Sequence, residues 1–187
     1  PKEGFLLDVK TLAWQEKETV VSLRRHFHEN PELSQKEFKT MDTIEEFLHK
    51  YGIETVRVPH GGVFGFLDSG KPGWTMLMRA DIDALPIKED PVNMAKERVC
   101  ISENEGIMHA CGHDCHTAML LGAAKLLKER ETGIRGFVEH FRIEVQPIDF
   151  PVQVQVGAGQ FTDFLCGAQL LRVPFGIFGN HDRSSFA

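Results

Sequence analysis

Hydrophobic and polar positions alternate along this chain with two clear periods, and each period predicts a kind of element. From about Trp14 to Phe27, Val20, Leu23 and Phe27 fall on one side while Glu16, Lys17, Glu18 and Arg24 fall elsewhere, a three-to-four spacing that predicts a helix. Pro31 ends it. Ser34-Gln35-Lys36-Glu37 matches a capping box, and Phe38, Met41, Leu48 and Tyr51 follow at helical spacing, with Glu45 off pattern and Gly52 as the stop. Leu120, Leu121, Ala124 and Leu127 predict a third helix over 117–130, capped by Asp114 or Thr117 and closed by Lys125, Lys128 and Arg130 in its last turns. Residues 1–13 give no usable signal.

Strand patterns lie between and after these helices. Thr55 to Val58 and Val63 to Leu67 predict a hairpin around His60-Gly61-Gly62. The apolar run Trp74 to Arg79 suits a buried central strand, reached through the turn-rich connector Asp68 to Gly73. Phe141, Ile143 and Val145 alternate with Arg142, Glu144 and Gln146, so a half-buried strand is expected across 137–146. Further strands are expected at Val152 to Val156 and Phe175 to Phe178, with a weakly amphipathic segment from Gly157 through Leu171 between them. Asp90 to Glu105 is polar and irregular, which suits a loop across a site mouth.

Composition narrows the function classes. At 187 residues one domain with a real core is expected. The chain carries 21 basic and 27 acidic residues, a net charge of -6, so it lacks the basic footprint of nucleic-acid binding and any electrostatic case for a membrane surface. Four Cys in a chain of this length do not make a disulfide scaffold. No N-terminal apolar run resembles a signal peptide, and no stretch approaches the ~20 apolar residues of a membrane helix. A soluble, reducing, cytoplasmic setting is expected.

The chemistry concentrates at Met108-His109-Ala110-Cys111-Gly112-His113-Asp114-Cys115-His116-Thr117, three His, two Cys and one Asp in ten residues. Thiolate and imidazole are the ligand types that hold Zn and related ions, and a carboxylate beside them can orient a ligand or bridge to a second metal. Cys111 and Cys115 also admit a redox pair, although their gap is one residue longer than thioredoxin-like chemistry expects. Asp81 and Asp83, at the end of the Trp74 strand, project to one side where α/β proteins place their sites; a strand-end turn bonding nearby amides is the plainer alternative. His28 and Glu32 stay open between an active-site role and a turn that caps its own helix ends. Cys100 has no visible partner.

Three blocks carry a family resemblance: Arg24 to Ser34 (RRHFHENPELS), Arg79 to Ile87 (RADIDALPI) and Gly106 to Leu127 (GIMHACGHDCHTAMLLGAAKLL). The chain resembles the M20 metallopeptidase family in its amidohydrolase branch of aminoacylases, hippurate hydrolases and plant auxin-conjugate hydrolases. That resemblance implies a pair of divalent metals, Zn or Mn, with Cys111 as a bridging thiolate, His113 as a ligand, and His181 as a later ligand in Ile177-Phe178-Gly179-Asn180-His181. It implies an N-acyl amino acid or small peptide as substrate. The family's Gln-Pro-Ala-Glu-Glu motif is in register with Gln146-Pro147-Ile148-Asp149-Phe150, so Asp149 stands in the general-base position and Phe150 at a ligand Glu. Asp81 and Asp83 are the further catalytic candidates.

The implied fold is an α/β three-layer sandwich with a mixed, mostly parallel central sheet, the N-terminal hairpin at one edge and the metal loop at the carboxyl ends of the strands. Residues 1–187 are expected to be the N-terminal part of the catalytic domain, with 131–176 matching loosely, and to stop before the family's lid or dimerisation domain and the C-terminal catalytic part. An apolar edge left open by such a segment would favour homo-oligomers. A metal-binding or interaction module without turnover is the alternative to a hydrolase.

Overall fold

A computed structural model of the chain describes residues 2–58, 62–70, 76–92, 94, 96–131, 141–146, 165–166 and 169–170. Four helices and six strands run in the order α1 (Lys2–Gln15), α2 (Lys17–Glu29), α3 (Phe38–Lys50), β1 (Glu54–Val58), β2 (Gly62–Leu67), β3 (Met76–Asp81), α4 (His113–Glu129), β4 (Phe141–Gln146), β5 (Leu165–Cys166) and β6 (Gln169–Leu170). The chain divides into two compact units, Pro1–Phe150 and Pro151–Ala187. In the second unit β5 pairs antiparallel with β6, Leu165 against Leu170 and Cys166 against Gln169. The weakly amphipathic segment expected there thus contains a short strand pair. The strands expected at 152–156 and 175–178 lie outside the described residues.

The first unit is a sheet with helices packed on it. Strand order is β1-β2-β4-β3. The β1/β2 hairpin is antiparallel, as its Gly-rich turn predicts, with Thr55 opposite Gly65, and it lies at one edge. β2 pairs antiparallel with β4, whereas β3 pairs parallel with β4 from Met76 opposite Phe141 to Asp81 opposite Gln146. Among the described strands the sheet is therefore mixed, with one parallel pairing against two antiparallel ones, which is less parallel than the expectation. The reason is local: a short Gly turn after β1 forces a hairpin, while the residues between β3 and β4 include the whole of α4 and so allow a parallel crossover. β3 ends the described strand order, and Met76 is 48% exposed, so the run expected to be a buried central strand is buried only toward its carboxyl end.

The core is one cluster. Phe27 of α2, Met41, Ile44 and Leu48 of α3, Ile53, Val63 and Leu67 of the hairpin, Ala80 and Ile82 at the end of β3, and Leu120, Leu121 and Ala124 of α4 are all buried together. The helical and alternating periods single out Phe27, Met41, Leu48, Val63, Leu67, Leu120, Leu121 and Ala124 among these, but not Ile44, and Phe38, on the expected apolar face of α3, is 51% exposed. Gly122 lets α2 and α4 approach closely, since a Cβ there would lie 2.6 Å from Val20 Cγ2.

Helix ends depart from the sequence expectation at three places. The expected helix from Trp14 is two helices meeting at Glu16, whose carboxylate accepts a hydrogen bond from Lys125 Nζ of α4 at 2.6 Å. The capping box before α3 does not form. Instead Glu32 reaches forward, its Oε2 accepting from the backbone N–H of Thr40 at 2.8 Å and from the Thr40 hydroxyl at 2.9 Å. Gln35 in the intervening turn has φ +66°. The stop at Gly52 is as expected, with φ +69°.

The third departure concerns α4. It starts at His113, four residues earlier than its apolar period indicates, and neither Asp114 nor Thr117 supplies a side-chain cap. Gly112, with φ +85°, turns the chain into the helix. The first turn is built of polar residues that hydrophobic spacing cannot see.

Candidate metal centre

Because α4 begins at His113, that residue and His116 are one helical turn apart, the spacing at which side chains share a face. Their rings lie 5.7 Å apart and 26° from parallel. The carboxyl end of β3 is pinned beside this turn by Thr117, whose hydroxyl lies 2.9 Å from the His113 carbonyl and 3.0 Å from the Asp81 carbonyl. Asp81, His113 and His116 each offer a ligand atom, and the three atoms all lie within 4.8 Å of one another.

The chain past β3 completes the arrangement. Asp83 is buried, and its Oδ1 lies 2.8 Å from His113 Nδ1, with its own carbonyl at 3.0 Å from the same nitrogen. Two acceptors facing one nitrogen assign the proton to Nδ1 and leave the Nε2 lone pair open. A ligating histidine is held in this way by a carboxylate behind it. Asp83 thus touches the candidate ligand, while Asp81 is paired with Arg79 Nη2 at 2.7 Å. The two carboxylates expected to project to one side have different partners.

Asp114, the next residue of α4, faces α2 instead. Its Oδ2 lies 2.7 Å from His28 Nδ1 and 3.0 Å from Arg24 Nε. The other His28 nitrogen, Nε2, lies 3.0 Å from Glu89 Oε1. Hydrogen bonding to Asp114, aided by Glu89, raises the His28 pKa against the opposing effect of burial. Burial would raise Asp114, but the His28 and Arg24 contacts hold it below the ordinary carboxylate range. Glu89 also accepts from the Ser102 backbone N–H at 2.6 Å and pairs with Arg98 at 3.3 Å.

So His28 does not cap its own helix end: its ring ties α2 to α4 and to the loop at 89–102. The same loop is stitched to the end of α2 by Glu103 N–H to the Glu29 carbonyl at 2.8 Å and by Asn104 Nδ2 to the Pro31 carbonyl at 2.8 Å. Cys100, buried within it, donates to the Arg25 carbonyl at 3.5 Å, and burial pushes its thiol up to about 11.

Among the described residues, His109 and Glu37 keep buried atoms with open hydrogen-bonding capacity. His109 is 6% exposed with neither ring nitrogen partnered, and burial lowers its pKa to about 4, so it is a neutral imidazole near neutral pH. Glu37 is 2% exposed, its Oε1 has no partner, and burial raises its pKa, with Asp83 and Glu32 adding to the effect.

Of the nominated residues, Asp81, Asp83 and His113 come together. Cys111 is exposed just before the turn at Gly112 and stands outside the three-residue group. Asp149 and His181 lie outside the described residues. His116 was missed as a candidate ligand in its own right, though the interval from His113 was visible, because the helix was expected to begin after it. Glu89 left no signal beyond its charge, and Arg24 none beyond its place in the block Arg24 to Ser34.

The donors present fit a divalent ion: an imidazole held at Nδ1 by a carboxylate, a second imidazole one turn away and a carboxylate within reach. Among the described residues no helix is long and apolar enough to cross a membrane.

Comparison with known proteins agrees with this chemistry. Residues 77–140 match the family described as Peptidase family M20/M25/M40. The chain is 39% identical over 170 residues to thermostable carboxypeptidase 2 of Saccharolobus solfataricus, covering 89% of this chain and 40% of that protein. It is 38% identical over 167 residues to the N-acyl-L-amino acid amidohydrolase of Geobacillus stearothermophilus, covering 87% of this chain and 44% of the relative. The fold is similar to the crystal structure of the Bacillus subtilis YXEP protein, a dinuclear metal binding peptidase from the M20 family, with TM-score 0.62 and 36% identity over 74% of this chain and 36% of that one. The chain thus spans about 40% of the length of the curated relatives it matches.

Proposed function

Since this chain belongs to peptidase family M20/M25/M40 through the segment that carries its His/Cys cluster, we propose that it contributes the metal-holding half of a hydrolase acting on the amide bond of N-acyl amino acids or small peptides. The observation that carries this reading is the Asp83–His113 pair. A buried carboxylate 2.8 Å from Nδ1 leaves Nε2 of a buried histidine presented as a ligand. We assign His113, Cys111 and His181 to the binding of divalent metal, Zn or Mn, two ions as in the family. When bound, such an ion supplies the Lewis acidity that lowers the pKa of a water and polarises an amide carbonyl.

The protein's own side chains divide the remaining work. Asp83 orients His113 through its Nδ1. Asp149, in the general-base position, takes the proton from the attacking water and returns it to the departing amine. General-base catalysis contributes roughly 10²- to 10⁴-fold, and misplacing such a group by an ångström costs about 10²-fold, so the shorter Asp side chain sets a slow reaction. The three-layer sandwich, the N-terminal position of 1–187 within a longer catalytic domain, a cytoplasmic location and self-association belong to the same proposal.

The test is hydrolysis of a panel of N-acyl amino acids and dipeptides by the full chain with added Zn or Mn. Turnover that disappears with chelator and in His113→Ala supports the reading. Metal binding with no turnover on any substrate favours the second reading, a metal-binding or interaction module, to which Phe150 at the family's ligand-Glu position points.

A further inference from the structure

We propose that His28 is a pH-operated clasp on the loop between Leu85 and Met108: a ring donating from both nitrogens holds the Glu89 arm of that loop against α2, and a ring with one proton releases the arm while keeping its hold on α4. The clasp needs no bound metal.

The geometry requires both protons. His28 Nδ1 lies 2.7 Å from Asp114 Oδ2, and Nε2 lies 3.0 Å from Glu89 Oε1. An ionised carboxylate only accepts, and a neutral imidazole has one N–H to give, so both contacts are hydrogen bonds together only in the imidazolium. The other charged groups around the ring are Arg24 on its own helix, whose Nη2 lies 3.1 Å from Nδ1, and Arg98 on the loop, 3.3 Å from Glu89 Oε1. His109, within electrostatic reach, is neutral. Hydrogen bonding to Asp114 and then Glu89 raises the pKa of the ring against burial and the Arg24 charge.

The two contacts are unequal. Asp114 makes the shorter one, is 1% exposed, and is fixed on α4 by the Cys115 N–H at 2.8 Å from its Oδ1. A single ring proton therefore stays on Nδ1, and the Nε2 lone pair then faces the Glu89 carboxylate and repels it. Glu89 keeps two donors on the loop itself, the Ser102 N–H at 2.6 Å and Arg98. It can leave α2 without losing them.

Apolar burial does little to seat that arm, since Ile87 is 44% exposed and Val92 51%. The returning arm is held differently. Cys100, Glu103 and Asn104 bond to the carbonyls of Arg25, Glu29 and Pro31, and two backbone bonds between Leu85 and Met108 close the base of the loop. Release is thus confined to the stretch around Glu89, just past Asp83 in the chain.

Limited trypsin digestion of the full chain between about pH 6 and 9, a range spanning the ordinary histidine value, tests the clasp. The readout is the initial rate of cleavage after Lys88, which precedes Glu89, divided by the rate on an unstructured peptide of the same local sequence. In wild type this ratio should rise by about 10-fold or more as His28 loses its proton, the order of one charge-assisted hydrogen bond. Glu89→Gln, whose side-chain amide donates to a neutral ring, should keep the arm attached and flatten the profile. A wild-type ratio that ignores pH, or a Glu89→Gln profile as steep as wild type, overturns the clasp. Nitrogen NMR of histidine-labelled wild type reads the ring with no variant. The Nε2 proton should be the one lost; loss of the Nδ1 proton, or a ring that stays charged throughout this range, refutes the assignment.

Discussion

Asp83 does its work through another side chain. Its carboxylate is 4% exposed and faces His113 Nδ1, so an Asp83→Asn substitution keeps the shape but removes the carboxylate acceptor that holds the ring. The expected result is zinc binding about 10- to 100-fold weaker with little change in fold, read by competition with a chromophoric chelator. The thiols separate in the same residue-level way. Cys100 is buried with its pKa pushed up to about 11, whereas Cys111 is exposed. Thiolate is the reactive form, so at mildly alkaline pH a thiol reagent should modify Cys111 first and Cys100 only on unfolding, which peptide mapping over time will show. At this scale the sequence was legible wherever residue type marks chemistry: His113, Asp81 and Asp83 were all nominated, and the structure brings them together. It was silent on partners, because nothing local says that Asp114 faces His28 some 86 positions away while His113 faces Asp83.

Helices show where periodicity fails as a guide. The apolar faces of α2, α3 and α4 were legible because burial repeats at three and four residues, and the core is made of those positions. The starts were not, since Glu32 replaces the expected capping box and a left-handed glycine replaces a capping side chain at α4. Where α2 meets α4, Gly122→Ala would place a Cβ 2.6 Å from Val20 Cγ2, and overpacking of this kind costs about 1–3 kcal/mol, measurable by urea unfolding.

The same two helices are joined by His28, which faces Asp114 on α4, Glu89 on the loop with Arg98 behind it, and Arg24 on its own helix. Its pKa is raised on folding. Protonated His28 therefore adds stability that is fully present below the unfolded value of about 6.5 and is lost as pH rises through the higher folded value. Thermal unfolding of the metal-free chain across neutral pH should show this decline in wild type. The His28→Gln variant should lack it while being less stable at the acid end. A variant with an unchanged pH profile would refute the assignment.

For the whole molecule, the mixture of strand directions explains how much of the fold could be foreseen. A hairpin is a local event and was predicted with its turn; the pairing of β3 with β4 spans the whole of α4, and strand order cannot be read from alternation. The metal loop still falls at the carboxyl end of β3, as α/β architecture implies. Metal that binds only the folded form of the first unit must stabilise that unit by mass action. At a free concentration of 100 Kd that is about 2.7 kcal/mol, so added zinc should raise the unfolding temperature of the full chain and chelator should reverse it.

Gly112 holds a backbone with φ +85°, yet a Cβ built there would meet nothing within 4 Å. The position discriminates by handedness and not by size. An L-alanine would cost about 1–2 kcal/mol in this left-handed conformation, whereas D-alanine introduced by chemical ligation finds the same backbone relaxed and the same space open. A mirror-image residue between Cys111 and His113 should therefore hold α4 at its present starting point more firmly than glycine does.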